Sequence, residues 1–186
     1  KVLGNMSLKI AHVRLDYDDG SKTFFWQKNG VIGLGDINVA GLPLFGQWLL
    51  PPDPPFIVIC EGEKAQEALW KQSFAAISTY GAVVIPSIDR LKTIADQAVY
   101  LWPDNDEAGA KHMDKLASLL TALNCPPLII HWPDAPPKGD AYDYVALGLD
   151  VNELLGEAKL WEDSWIYGES KKTDKIPLVG VKGLWE

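Results

Sequence analysis

The chain has 186 residues, 47% of them hydrophobic, and a formal net charge of −8. That apolar content supports a packed core for one medium α/β domain with a small appendage and excludes disorder of the whole. No apolar run is long enough to span a bilayer, no basic stretch followed by an apolar one opens the chain, and the negative charge excludes non-specific nucleic-acid binding through bulk charge.

In chain order, residues 8–17 alternate apolar and polar side chains and predict a half-exposed strand. Asp18-Asp19-Gly20-Ser21 predicts a turn, with Lys22 to Gln27 as the hairpin partner. Residues 30–46 are glycine-rich and apolar and read as irregular, and Pro51-Pro52-Asp53-Pro54-Pro55 reads as a stiff linker. The pattern then changes. Residues 56–60 form a continuous apolar run of the kind found in buried parallel strands. Lys64 to Gln72 predicts a helix, residues 75–79 a second strand, Ile88 to Thr93 a weak helix and residues 98–102 a third strand. Glu107 to Leu123 predicts a long amphipathic helix with Ala110, Met113, Leu116, Ala117 and Leu120 on one face. Residues 128–131 predict a fourth strand, and Tyr142 to Leu147 and Val151 to Lys159 short helices. This alternation implies an α/β fold: an open, mainly parallel sheet with helices on both faces, preceded by a small β-rich region. The expected organisation is a β-rich region over 1–50, a catalytic domain over 51–160, and over 161–186 a tail or lead-in to another domain. The first residue is Lys1, so the chain is expected to be part of a longer protein.

Three acidic clusters follow predicted strands, at the edge where an open parallel sheet builds its site. They are Glu61-Gly62-Glu63-Lys64, Asp104-Asn105-Asp106-Glu107-Ala108-Gly109 and Lys138-Gly139-Asp140-Ala141-Tyr142-Asp143. Residues 1–50 carry a net charge of +1 and the remainder −9, so the acid lies in the later part. Converging carboxylates repel one another unless a cation sits among them, and oxygen ligands of this kind suit Mg²⁺ or Mn²⁺. Cys60 and Cys125 form no CxxC pair, which excludes a zinc ribbon within the chain and fits a reducing cytoplasm.

An apolar strand followed by Glu61-Gly62, and a later one followed by Asp104-x-Asp106-x-x-Gly109, resemble the Toprim signature. Lys138-Gly139-Asp140-x-x-Asp143 resembles the third acidic motif of Toprim domains in phage and plasmid DNA primases. The resemblance covers residues 56–147; residues 8–50 more loosely resemble the segment before Toprim in DnaG-type primases. The DnaG-type motif reads Glu-Gly-x-x-Asp, and here its last place is Ala65. The resemblance implies a Toprim, Rossmann-like fold and a DNA primase-type nucleotidyltransferase in which Glu61, Asp104 and Asp106 are catalytic. Asp104 and Asp106 would bind the metal, Asp140 would complete the site, and Glu61 would act as general acid/base or share the metal. Lys64 and Lys138 would reach substrate phosphates, and Gly62 and Gly109 would allow close backbone approach. The implied partners are a single-stranded DNA template and ribonucleoside triphosphates, with a zinc-binding module and a helicase elsewhere in the protein or complex, and no membrane.

Two alternatives share these residues: a Toprim nuclease hydrolysing phosphodiesters, and a non-catalytic nucleic-acid-binding or assembly module. Taken singly, Asp104 and Asp106 also read as a helix cap and a first-turn acid, Asp140 and Asp143 as caps of the helix that follows, and Glu61 as an acid favoured at a helix N-terminus. An EF-hand loop starting at Asp104 fails at Ala108 and Lys115, and neither a P-loop nor a GxGxxG motif occurs. Arg90 and His112 read as surface residues, His12 and His131 as packed strand residues, and the eight tryptophans as too scattered for a stacking platform.

Overall fold

The computed structural model describes residues 8–161. The expected tail lies, beyond Trp161, outside the described residues. Strands β1 (Ile10–Asp16) and β2 (Lys22–Lys28) pair antiparallel with His12 opposite Trp26 and Arg14 opposite Phe24. The turn between them closes as its residues dictate, with the Asp19 carboxylate accepting from the Ser21 N–H at 2.8 Å. A further short strand, β3 (Val31–Ile32), lies where the glycine-rich segment reads as irregular; Lys28 pairs with Val31 across Asn29-Gly30. Both turn residues have positive φ, 52° and 83°. Asn-Gly adopts such a two-residue turn readily, and its twist matches that of the flanking strands.

The larger part alternates β4 (Phe56–Cys60), α1 (Glu63–Lys71), β5 (Ala76–Ser78), α2 (Ile88–Leu91), β6 (Ala98–Trp102), α3 (Glu107–Ala122), β7 (Leu128–Ile129), α4 (Ala141–Ala146), α5 (Val151–Glu157) and β8 (Lys159–Leu160). The sheet order is β5-β4-β6-β7-β8; the first four strands run parallel, and β8 closes one edge antiparallel to β7. The fold class is the expected one, a mainly parallel sheet with a separate small antiparallel sheet. β8 occupies the stretch where the sequence suggests the end of a helix, because Ala158 leaves the helical region at ψ 142°.

Strand alternation sorts the core into two layers. Ile57, Ile59, Val99 and Leu101 face α2 and α3, packing with Leu91, Met113, Leu116 and Leu120. Val58, Cys60, Tyr100 and Trp102 face α1, α4 and α5, packing with Ala65, Leu69, Tyr144 and Leu154. Each fully buried aliphatic side chain contributes on the order of 1.5–3 kcal/mol, so these layers hold the strand ends, and the loops beyond them, in fixed positions.

Residues 42–46 precede the proline-rich segment yet pack on the five-stranded sheet. Leu44 is buried in the first layer, and Phe45 exchanges two backbone hydrogen bonds of 2.9 Å with Ser78. The exposed edge of β5 is thereby covered rather than left free for another chain. Among the described residues no helix is long and apolar enough to cross a membrane.

Candidate functional site

Strands β4 and β6 are neighbours with Cys60 opposite Trp102, so the chain leaves both at the same level. It then diverges: α1 packs on one face of the sheet and α3 on the other. Such a switch in direction leaves a crevice beyond the carboxyl ends of the strands, and Glu61 and Asp104 stand there. The Glu61 carbonyl accepts from the Thr79 hydroxyl at 3.1 Å and from the Gly81 N–H at 2.9 Å, which fixes the residue just past β4. The residue is 5% exposed, and its carboxylate accepts from the Asp104 N–H at 3.3 Å.

Asp106 and Asp140 are helix caps. The Asp106 carboxylate accepts from the Gly109 N–H at 2.8 Å at the start of α3, and Asp140 and Asp143 form a reciprocal capping box at the start of α4. Asn105 ties the second acidic cluster to the third. Its amide donates to the Ala135 and Pro136 carbonyls at 2.7 and 2.9 Å, its N–H donates to the Gly139 carbonyl, and its own carbonyl accepts from the Lys138 N–H. Nothing in the acidic spacing singles out Asn105. Its only signal is an amide between two aspartates, a residue able to donate where the aspartates can only accept.

Burial pushes the Glu61 carboxyl up to about 7, with the charges of Asp106 and Asp140 adding to the effect. Burial, then the charge of Glu61 and of the other acids, pushes Asp104 up to about 8. Asp140 is also raised, mainly by burial, with Lys64 opposing. Among the described residues no salt bridge reaches any of these carboxylates.

Clustered, partly desolvated carboxylates that no salt bridge neutralises suit a hard divalent cation. As they stand, no three His, Cys, Asp or Glu side chains among the described residues are grouped to enclose one. Mg²⁺ keeps several waters and takes one or two carboxylates, with substrate phosphates completing its shell.

The structure brings Glu61, Asp104, Asp106 and Asp140 within electrostatic reach of one another. Lys64 joins them, its ammonium 3.4 Å from the centroid of the Tyr142 ring and close enough to lower Asp140. Lys138 is exposed and held through its backbone, at a φ of 62°. Gly109 meets the expectation of close approach, since a Cβ there would come 2.5 Å from both the Asp104 carbonyl and the Glu61 Oε1. Gly62 does not, because a Cβ there would meet nothing within 4 Å. Ala65 is buried in the second core layer, where an acid would lack a partner.

His112 is not a surface residue: it is 2% exposed, its Nε2 lies 3.0 Å from the Thr79 hydroxyl, and burial pushes it down to about 4. Arg90 is half-buried and donates to the Gly41 carbonyl at 2.5 Å. His131 is exposed rather than packed, because β7 ends at Ile129. His12 is packed as expected, with Nδ1 2.7 Å from the Glu63 Oε1.

No family model matches this chain and no curated protein matches it. Among solved structures it is similar to the DnaG catalytic core, at 15% identity and a TM-score of 0.58, over 80% of this chain and 53% of that one. It is also similar to the zinc-binding and RNA polymerase domains of the Aquifex aeolicus primase, at 16% identity and a TM-score of 0.48, over 56% of this chain and 26% of that one. The chain thus spans about half the length of the DnaG core and shares its fold.

Proposed function

We propose that this chain is the metal-dependent catalytic part of a DNA primase-type nucleotidyltransferase, joining ribonucleotides into a short primer on a single-stranded DNA template. The observation that carries the reading is that Glu61, Asp104, Asp106 and Asp140, on the loops that follow β4, β6 and β7, lie within electrostatic reach of one another. The Toprim-like order of those residues and the fold shared with the DnaG catalytic core support it.

In this reading Asp104 and Asp106 hold Mg²⁺ or Mn²⁺, and Asp140 adds a third carboxylate. The bound metal would neutralise triphosphate oxygens and orient the attacking hydroxyl. Glu61, raised to about 7, is poised to take or return a proton at neutral pH. Lys64, beside Asp140, would meet an incoming phosphate, and Lys138 would do so from the adjoining loop. A zinc-binding module and a helicase would act from elsewhere in the full protein or complex.

The test is labelled ribonucleotide incorporation on single-stranded DNA with Mg²⁺. Incorporation supports the primase. Template degradation without incorporation moves the assignment to a nuclease using the same acids. Template binding with neither reaction moves it to a non-catalytic module.

A further inference from the structure

The hairpin puts His12, Arg14 and Asp16 of β1 on the same face as Trp26, Phe24 and Lys22 of β2. The rings on this face form a continuous ladder. Trp26 meets Tyr80 edge-on with centroids 4.8 Å apart, His12 stacks on Trp26 at 4.5 Å, and Phe24 stacks on His12 at 5.6 Å. One end of the ladder is anchored at the rim of the acidic crevice. Tyr80 precedes Gly81, whose N–H holds the Glu61 carbonyl, and His12 bonds Glu63, two residues past Glu61. The other end is open: Phe24 is 47% exposed, with the Arg14 guanidinium 5.9 Å and the Lys22 ammonium 6.0 Å from its ring centroid.

We propose that this face is a base-stacking platform for a single strand of nucleic acid, with the open Phe24 ring taking a nucleobase and Lys22 an adjoining phosphate. The proposal rests on the nucleic-acid reading of the acidic site and names the surface that holds the strand. Arg14 is already bound by Asp16, so Lys22 is the cation left for a phosphate. The chain carries a net charge of −8, and the crevice is acidic, so long-range attraction for a phosphate backbone is lacking. A strand entering such a site gains most from a grip that does not depend on long-range charge. Stacking on aromatic rings is such a grip, and it tolerates any base because every base has a π-face. The ladder also supplies a rigid backing, because Trp26 and His12 are fixed from below by Tyr80 and Glu63.

The test is fluorescence anisotropy of a short end-labelled oligothymidylate with the full chain, in the absence of metal and nucleotides. An abasic oligomer of the same length is the control. The expected result is binding about tenfold tighter to oligothymidylate than to the abasic oligomer. Phe24→Ala should lose that margin and Phe24→Tyr should restore it. The salt dependence should be shallow, with a slope near −0.7 for about one phosphate contact. Because the Phe24 ring is half-exposed, thermal melts of both variants should match the wild type. Equal binding of the two oligomers, or undiminished binding by a folded Phe24→Ala, overturns the platform. So does absence of binding to either oligomer, which would leave the face to a protein partner. The binding assay contains no reactants, so the two readings fail separately. Incorporation without Phe24-dependent binding removes the platform alone, and Phe24-dependent binding without incorporation removes the primase alone.

Discussion

Glu61 and Gly109 stand so close that a methyl group at residue 109 would come 2.5 Å from the Glu61 Oε1. The same methyl group would meet the Asp104 carbonyl at 2.5 Å, and that atom is backbone, which cannot swing away. In an open helix, replacing glycine by alanine gains up to about 1 kcal/mol. Overpacking of a tight site costs about 1–3 kcal/mol, so the clash wins. Gly109→Ala is therefore expected to lower the melting temperature and to displace the Glu61 carboxylate. Thermal melts check the first effect and Mn²⁺ titration the second. A variant as stable as the wild type with unchanged Mn²⁺ affinity would show that α3 can shift to make room.

The raised carboxyls of Glu61 and Asp104 predict the pH dependence of the metal-free protein. Both have folded-state values, about 7 and about 8, above their ordinary ones of 4.5 and 3.8. Between those limits the folded state binds more protons than the unfolded state, so stability falls as pH rises. The contribution is full below pH about 4 and is lost as pH rises through about 7 to 8. Melting temperatures of the chelator-treated protein should decline across that window, and Mn²⁺ should offset the decline most at its upper end, where the ligands are deprotonated. A flat profile without metal would mean that the two carboxyls are well solvated.

Much of this arrangement was legible because it is written in local pattern. The apolar runs of β4 and β6 mark buried parallel strands, and the acids just beyond them mark the switch point. Asp106 and Asp140 carry a double signal, since a residue that caps a helix and one that binds a cation are written with the same side chain; the structure shows the caps directly. The Asn29-Gly30 turn is also local, but its signal is diluted among neighbouring glycines. His112 was legible too: it falls on the stripe of Gly109, Leu116 and Leu120, yet its polarity suggested the surface. What could not be read is the ladder of Tyr80, Trp26, His12 and Phe24. It joins two hairpin strands to the end of β5, and no periodicity within one segment encodes a contact 54 or 68 residues away.

Mn²⁺ binding should depend on Asp104 and Asp106 together, and the choice of substitution matters. Asp106 caps α3, and its replacement by alanine would cost about 1 kcal/mol of stability on that account alone. Asparagine is as good a cap as aspartate and lacks the charge. The double variant Asp104→Asn/Asp106→Asn is thus expected to fold normally and to bind Mn²⁺ at least about tenfold more weakly by calorimetry, the loss typical of altered metal sites. Equal affinity in the two proteins would remove both residues from the metal site.

If the proposed primase function holds, Glu61→Gln is expected to abolish primer synthesis and leave the fold intact. The amide has the shape of the carboxyl, so it fits above Gly109 as the wild-type side chain does, and its oxygen can still accept from the Asp104 N–H. The Glu61 carbonyl, held by Thr79 and Gly81, is untouched by the change. Stability should therefore not fall. Above pH 7 the metal-free variant should melt higher than the wild type, because it no longer carries a charge that burial disfavours. Chemistry is the part that suffers. An amide cannot take a proton from an attacking hydroxyl, and it is a weaker partner for a divalent cation than a carboxylate. Loss of general-base function alone typically costs about 10²–10⁴-fold in rate. Incorporation of labelled ribonucleotides on single-stranded DNA, measured beside thermal melts of the same preparations, separates the two effects. Full incorporation by a normally folded Glu61→Gln would place the proton transfer elsewhere in the crevice, with Asp104 the next carboxyl to substitute.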